Sequence, residues 1–245
     1  MRIPRIYTEQ NLQANAAFEL GPGPSAHIAK ALRMRTGDSL ILFNGEGGEY
    51  KASIVALEKK FVQIRTQEHN PAELESPLQL ALGIAISRGD RMDWIVQKAT
   101  ELGVVSITPL MTQRTEVKLK GDRAEKKHAH WRQIIISACE QCGRNRLPEL
   151  NNLMDLNSWL PSVKAQRKFV LHHRNTSAQK LEQQPASVAI LVGPEGGLSE
   201  QEIDQAGNQG FEALTLGPRV LRTETAPLAA LAILQSRWGD MSLDD

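Results

Sequence analysis

The chain has 245 residues, with 29 Lys and Arg against 28 Asp and Glu and a formal net charge of +1, which excludes wholesale electrostatic capture of nucleic acid but leaves room for a local basic face. No segment approaches the roughly 20 apolar residues of a membrane-spanning helix, and the polar opening Met1-Arg-Ile-Pro-Arg5 is unlike a secretion signal, so a cytoplasmic location is expected. The length allows a substantial core and suits two domains.

Ala26 to Arg33 carries a helical pattern that leads through the turn Arg35-Thr-Gly-Asp38 into a strand over Ser39 to Phe43. Asn44-Gly45 is a turn signal, Glu49 to Leu57 alternates, and Phe61 to Arg65 makes another short strand. Short strands with tight turns predict a small β-barrel over residues 1–70. Arg2, Arg5, Arg33, Arg35, Lys59 and Lys60 are available there for phosphate contacts, though each alone is more often just a solvated charge. The polar stretch Glu68 to Pro77, with two prolines, breaks the texture, and residues 71–77 are the expected linker to a second domain over 78–245.

Strand-like and helical segments then alternate as in a doubly wound α/β sheet. Leu80 to Ile86 reads as a strand. The next helix gathers Met92, Ile95, Val96, Ala99 and Leu102 on one face and stops at Gly103, and Val104 to Pro109 is again strand-like. Lys118 and Lys120 introduce a basic helical stretch from Arg123 to Cys142, either a grip for an RNA backbone or a solvated face. Cys139-Glu-Gln-Cys142 ends that helix instead of following a strand, so a redox motif does not fit, and with His128 and His130 it completes no four-ligand zinc spacing. No metal is expected. Cys142 is placed with Trp131, Ile134, Ile135 and Ala138 on the buried face, leaving Cys139 exposed and oxidisable. Phe169 to Leu171 is a buried strand ending at His172-His173-Arg174.

Val188 to Val192 is a continuous β-prone apolar run, as a strand covered on both faces requires. In the following Gly193-Pro-Glu-Gly-Gly-Leu-Ser199 the glycines permit close backbone approach, and a branched side chain at Gly196 is expected to block a ligand. Ser199 and Glu202 form a capping box for a helix running toward Gly207 or Gly210. A second loop, Leu216-Gly-Pro-Arg-Val-Leu-Arg-Thr-Glu-Thr-Ala-Pro227, follows the strand-like Phe211 to Leu216. It precedes an almost wholly apolar helix, Leu228 to Leu234, which must be buried in the core or against another subunit. Neither loop has the Lys-Ser/Thr ending of a phosphate cradle or the dinucleotide spacing, and Glu195 would repel phosphate. An uncharged or cationic nucleoside held by backbone amides and carbonyls suits both loops, although either alone is equally a tight strand-to-helix connection without a ligand.

Together the two loops resemble the cofactor signature of the SPOUT superfamily of S-adenosylmethionine-dependent RNA methyltransferases. With Ser87 to Gly103, Pro109 to Thr115 and Glu140-Gln-Cys-Gly-Arg144, nearly the whole chain resembles the RsmE family within it. The resemblance implies a PUA-like RNA-binding β-barrel followed by a SPOUT-type α/β domain with a C-terminal trefoil knot. It further implies a homodimer, S-adenosyl-L-methionine as cofactor, and methylation of N3 of a specific uridine in the 16S ribosomal RNA of the small ribosomal subunit. The cofactor would lie against Leu171 and His172, against Gly193, Pro194, Glu195, Gly196 and Leu198, and against Leu216, Gly217, Leu221, Arg222 and Thr223.

Methylation at N3 releases a proton, so such a site either offers a base or stabilises the ring anion. Arginine suits the second role because it stays charged and presents a planar fork of donors. Arg222, Arg114 and Arg144 are the catalytic candidates, Arg88 and Arg91 candidates for RNA contact, and Glu140 or Glu195 for accepting the proton. Taken singly, Arg91 suits a helix-face pair with Asp90 or Glu101, and Arg144 the negative end of its helix. A non-catalytic RNA-binding or ribosome-assembly factor, and a SPOUT enzyme acting on another RNA, are the alternative functions, with a redox enzyme using Cys139 and Cys142 ranked third.

Overall fold

The structure, a computed structural model, describes residues 3–172 and 184–241. Arg2, His173 and Arg174, named above, lie outside the described residues. The chain forms two compact units, Met1–Glu75 with Ile136–Leu147, and Ser76–Ile135 with Pro148–Asp245.

The first unit comprises β1 (Arg5–Tyr7), β2 (Ala17–Glu19), the short helix α1 (Pro22–Ala26) running into a π-helical turn His27–Ala31, β3 (Ser39–Phe43), β4 (Glu49–Leu57) and β5 (Val62–Asn70). The strands form a mixed sheet in the order β1-β3-β4-β5-β2, with β1 parallel to β3 and the other pairs antiparallel. Alternating residues of these strands, among them Leu40, Leu42, Ile54 and Ile64, close over Ile6, Leu20 and Ile28. The helix expected from Ala26 begins earlier because Pro22 and Pro24 sit in its first turn, where the missing N–H groups need no partner.

Ile136–Leu147, read from the sequence as part of the second domain, clusters with this unit, and its polar side chains account for that. Arg5 pairs with Glu49 and donates to Asn145 Oδ1 at 2.5 Å, while the Tyr7 N–H donates to Glu140 Oε1 at 3.0 Å. Arg144, 4% exposed, donates from Nε and Nη2 to the two carboxylate oxygens of Glu75 at 2.9 and 2.5 Å. The two cysteines exchange the places expected of them. Cys139 is fully buried and its thiol, chiefly through desolvation, is pushed up to about 12, whereas Cys142 is half-buried.

The second unit contains β6 (Gln79–Ala85), α2 (Arg91–Glu101), β7 (Val104–Met111), α3 (Asp122–Cys142, whose last turns belong to the first unit), β8 (Glu149–Leu150) and β9 (Met154–Asp155). It continues with α4 (Leu156–Trp159), a 3-10 turn, β10 (Arg167–Leu171), β11 (Ser187–Val192), α5 (Glu200–Asn208), β12 (Glu212–Leu214) and α6 (Thr225–Trp238). The sheet is parallel throughout, in the order β12-β10-β11-β6-β7-β8, and β9 also pairs with β7. β6 and β11 are buried along almost their whole length, as their unbroken apolar runs require. Gly83 in mid-strand makes room for the indole of Trp159, which a Cβ there would strike. Buried Gln235 of α6 accepts from Ser76 Oγ at 2.7 Å and donates to Leu102 O at 2.9 Å. No helix among the described residues is long and apolar enough to cross a membrane.

The sheet order positions the site. β10 lies between β11 and β12, so the chain leaving β11 crosses over β10 through α5 before entering β12. The carboxyl ends of three adjacent parallel strands therefore meet at one edge of the sheet.

Candidate functional site

At that edge lies a cavity of about 390 Å³. Leu171 and His172 line it from the end of β10, residues 192–198 from the loop after β11, and residues 214–217 with Leu221 and Thr223 from the end of β12 and its loop. The His172 N–H reaches Leu214 O at 3.4 Å, tying the ends of β10 and β12 together.

The loop after β11 owes its shape to short-range chemistry. Gly197 turns with φ +68° and returns its N–H to Pro194 O at 2.8 Å. Gly193 sits so close to the returning chain that a Cβ there would lie 2.9 Å from the Leu198 backbone nitrogen. At Gly196, which also lines the cavity, a Cβ would meet Arg114 side-chain atoms at 3.5 and 3.6 Å, so the tight approach to the chain's own backbone is at Gly193. The capping box forms: Ser199 Oγ accepts the Glu202 N–H at 3.2 Å and Glu202 Oε2 accepts the Ser199 N–H at 2.8 Å. Glu202 Oε1 also accepts the Gln113 N–H at 2.7 Å. Next to it, Arg114 Nη1 donates to the carbonyls of Gly196 and Leu198 at 2.9 and 3.3 Å.

The loop after β12 turns at Gly217, φ +85°, and enters α6 through Arg222, whose carbonyl accepts the N–H groups of both Thr225 and Ala226 at 2.9 Å. The Arg222 side chain is 78% exposed, with Nη1 4.0 Å from Glu224.

The sequence-derived site residues separate into three groups. Leu171, His172, Gly193, Pro194, Glu195, Gly196, Leu198, Leu216, Gly217, Leu221 and Thr223 all line the cavity, as does Arg114. Arg222 belongs to the same loop but points its side chain into solvent. Glu140 and Arg144 lie in the first unit, holding Tyr7 and Glu75, and burial pushes the Glu140 carboxyl up against the opposing pull of the Tyr7 N–H, His27 and Arg5.

The residues considered for RNA contact are likewise divided. Arg5 is engaged in its network, whereas Arg33, Arg35, Lys59 and Lys60 are exposed on the first unit. Arg88 pairs with Glu116, and its N–H donates to Glu195 Oε1 at 3.0 Å. Arg91 donates to the same oxygen at 2.6 Å and lies 3.6 Å from Glu224, in place of the expected helix-face pair with Asp90 or Glu101. Partial burial opposes the Glu195 charge, but the Arg88 N–H, its own N–H and the Arg91 guanidinium hold its carboxyl below the usual range.

Gly197, Arg219 and Val220, which belong to the two expected loops, line the cavity as well, and so do Val192, Glu200, Ile203, Leu214, Thr215 and Ala226, which were not singled out. Membership of the two loops was the available signal for most of them. Leu214 needed the knowledge that β12 lies beside β10. Among the described residues no cluster of His, Cys, Asp or Glu is arranged to hold a metal ion.

The cavity suits a nucleoside bearing a positive centre. Backbone groups and Leu171, Leu198, Leu216 and Leu221 form its walls, Arg114 is committed to carbonyls, and Glu195 supplies a negative charge. These features fit S-adenosylmethionine better than a phosphate-bearing ligand.

Comparison with known proteins points to the same family. The RNA methyltransferase domain family matches residues 74–235 and the RNA methyltransferase PUA domain family residues 25–67. Ribosomal RNA small subunit methyltransferase E of Buchnera aphidicola (from Schizaphis graminum) is 37% identical over 98% of this chain and 99% of its own length. The Bacillus subtilis protein of the same name is 32% identical over 93% of each. The fold matches the Neisseria gonorrhoeae ribosomal RNA small subunit methyltransferase E solved with S-adenosylmethionine, at a TM-score of 0.94 and 39% identity over 98% of this chain and 100% of that one. A Legionella pneumophila protein solved with the same cofactor gives 0.94 at 44% identity, over 98% and 100%. With both domains matched and relatives of this identity aligned almost end to end, the chain belongs to the ribosomal RNA small subunit methyltransferase E family.

Proposed function

We propose that this protein transfers the methyl group of S-adenosylmethionine to N3 of a uridine in 16S ribosomal RNA of the small subunit, working as a cytoplasmic homodimer. The observation that carries the reading is the cavity at the ends of β10, β11 and β12, whose Gly193 cradle leaves no space for a side chain. Two relatives solved with S-adenosylmethionine have this fold at TM-score 0.94. The trefoil threading of the chain after β11 belongs to the same reading, supported by the two loops meeting across β10.

When bound, the cofactor supplies an electrophilic methyl group on sulfur. The chain's own task is to hold the nucleoside portion against the two loops, to exclude water, and to stabilise the uridine once N3 has lost its proton. Arg222 is the cation assigned to that last step, because its guanidinium is solvent-facing at the cofactor loop, 4.0 Å from Glu224. Glu195 is a weak base while it is held by Arg91, so the N3 proton is lost to solvent before the uridine is enclosed. Glu140 and Arg144 act in this reading as structural partners within the first unit.

Exposed Lys118, Lys120, Arg123 and Lys126 offer phosphate contacts from the second unit, and Arg33, Arg35, Lys59 and Lys60 from the first. A second copy of the chain would cover α6, which has no polar face. Ile233 on it is 45% exposed and Trp94 on the packed helix α2 is 52% exposed.

The test is methyl transfer from labelled S-adenosylmethionine to small subunits lacking the modification, followed by digestion to nucleosides. The expected product is 3-methyluridine. Transfer to another nucleoside would redirect the substrate assignment, and cofactor binding without transfer would favour a non-catalytic RNA-binding or assembly role.

A further inference from the structure

Arg91 opens α2, where a cation is opposed by the positive end of the helix dipole, so its place there does not serve the helix. Its guanidinium instead reaches both cofactor loops. Nη1 donates to Glu195 Oε1 at 2.6 Å in the loop after β11, and Nε stands 3.6 Å from Glu224 Oε2 at the entrance to α6, where the loop after β12 ends. Glu195 is held from a second direction by the Arg88 N–H at 3.0 Å. Glu224 is shared, since Arg222 Nη1 approaches its other carboxylate oxygen at 4.0 Å.

We propose that Arg91 is a positioning residue that clasps the two loops together beside the cavity and thereby sets cofactor affinity, an assignment that rests on the cavity being the S-adenosylmethionine site. The geometry suits a planar fork: Nη1 donates to a carboxylate on one loop while Nε stands within ion-pair distance of a carboxylate on the other, whereas a lysine ammonium is a single point charge on a flexible stem. The partners are partly exposed, with side-chain exposures of 38%, 33% and 22% for Arg91, Glu195 and Glu224. Exposed pairs of this kind contribute little to global stability, so the clasp acts on where the loops sit rather than on whether the chain folds. Because Glu224 also faces Arg222, the clasp fixes the entry of α6 beside the residue that meets the uridine.

The test uses the full-length protein and the variants Arg91→Met, Arg91→Lys, Glu224→Gln and the double variant Arg91→Met/Glu224→Gln. Without cofactor, amide hydrogen exchange should quicken in both loops of Arg91→Met while the sheet core and the melting temperature stay near wild type. S-adenosylmethionine affinity by calorimetry should fall about tenfold in Arg91→Met. Arg91→Lys should regain part of it, and the double variant should lose less than the two single losses combined. In turnover, KM for the cofactor should rise with little change in KM for small subunits. Unchanged cofactor affinity in Arg91→Met, strict additivity in the double variant, or a loss confined to subunit binding would each overturn the clasp. Failure of the wild-type protein to bind the cofactor would instead remove the reading beneath it. Should Arg91→Met fail to fold, Glu224→Gln and Arg91→Lys still report on the same contacts.

Discussion

A methyl group placed on Gly193 would lie 2.9 Å from the backbone nitrogen of Leu198 and 3.0 Å from that residue's Cγ, whereas one on Gly196 would find only Arg114 side-chain atoms at 3.5 and 3.6 Å. Forcing a methyl into the first position costs about 1–3 kcal/mol and moves the loop that lines the cavity. Gly193→Ala should therefore weaken S-adenosylmethionine binding roughly five- to a hundredfold, while Gly196→Ala stays within about a few-fold of wild type. Calorimetric titration of the two variants decides it. Equal affinities would mean that the loop yields freely.

The capping box carries a second function, because Glu202 serves the Gln113 N–H as well as the Ser199 N–H. Ser199→Ala removes one cap bond and should cost about 1 kcal/mol. Glu202→Ala leaves two backbone donors without their acceptor and should cost about 2–4 kcal/mol. Urea denaturation of both variants should rank them in that order. A larger effect at Ser199 would show that the N-cap hydroxyl, rather than the link to the Gln113-Arg114 turn, holds the loop.

Arg222 and Arg114 should separate kinetically. Arg222 is 78% exposed and Arg114 holds the Gly196 and Leu198 carbonyls. Arg222→Ala should leave the melting temperature unchanged and lower kcat about a hundredfold, the loss typical of a missing transition-state donor. Arg114→Ala should chiefly raise KM for the cofactor. Thermal unfolding beside steady-state kinetics tests both, and a melting temperature that falls in step with activity would make Arg222 structural.

Much of this site is legible in the residues because its determinants are local. Val188 to Val192 reads as a covered strand and is one, and Ser199 with Glu202 forms the box that its spacing announces. Contacts between distant segments were not legible. Helical spacing offers Arg91 Asp90 and Glu101, but its partners Glu195 and Glu224 lie more than a hundred residues away. The same holds for Arg5 and Asn145, 140 residues apart, and hence for the return of Ile136–Leu147 to the first unit. The exchange of Cys139 and Cys142 has another origin. Both follow buried residues at helical spacing, Ile135 and Ala138 respectively, and periodicity alone does not tell which end of the stripe is covered.

Glu140 gives a pH signature with a defined sign. Burial raises its carboxyl pKa in the folded protein, against the smaller opposing effects of the Tyr7 N–H, His27 and Arg5. The folded state thus holds this proton more tightly than the unfolded chain, and its contribution to stability is lost as pH rises from the ordinary carboxylate value through the raised folded one. Glu140→Gln keeps an amide oxygen for the Tyr7 N–H, 3.0 Å away in the wild type, and removes the desolvated charge. Its stability relative to wild type should increase as pH rises from the ordinary carboxylate value through the raised folded one. Denaturation across that range checks the sign. Retention of methyl transfer by the variant would also exclude Glu140 as the base.

Arg144 is the sharpest case of a candidate for catalysis with a structural setting. Its side chain is 5% exposed and its guanidinium meets the Glu75 carboxylate through two nitrogens. Removing one member of a buried pair strands the other charge and costs about 3–5 kcal/mol, whereas replacing both with apolar groups is often close to neutral. Arg144→Met should therefore unfold at markedly lower urea concentration, and Arg144→Met/Glu75→Leu should recover most of the loss. The discriminating measurement is methyl transfer by the double variant at a temperature where it is fully folded. Near-normal turnover would identify the arginine as a strut of the first unit. Absent turnover in a folded double variant would return it to the chemistry.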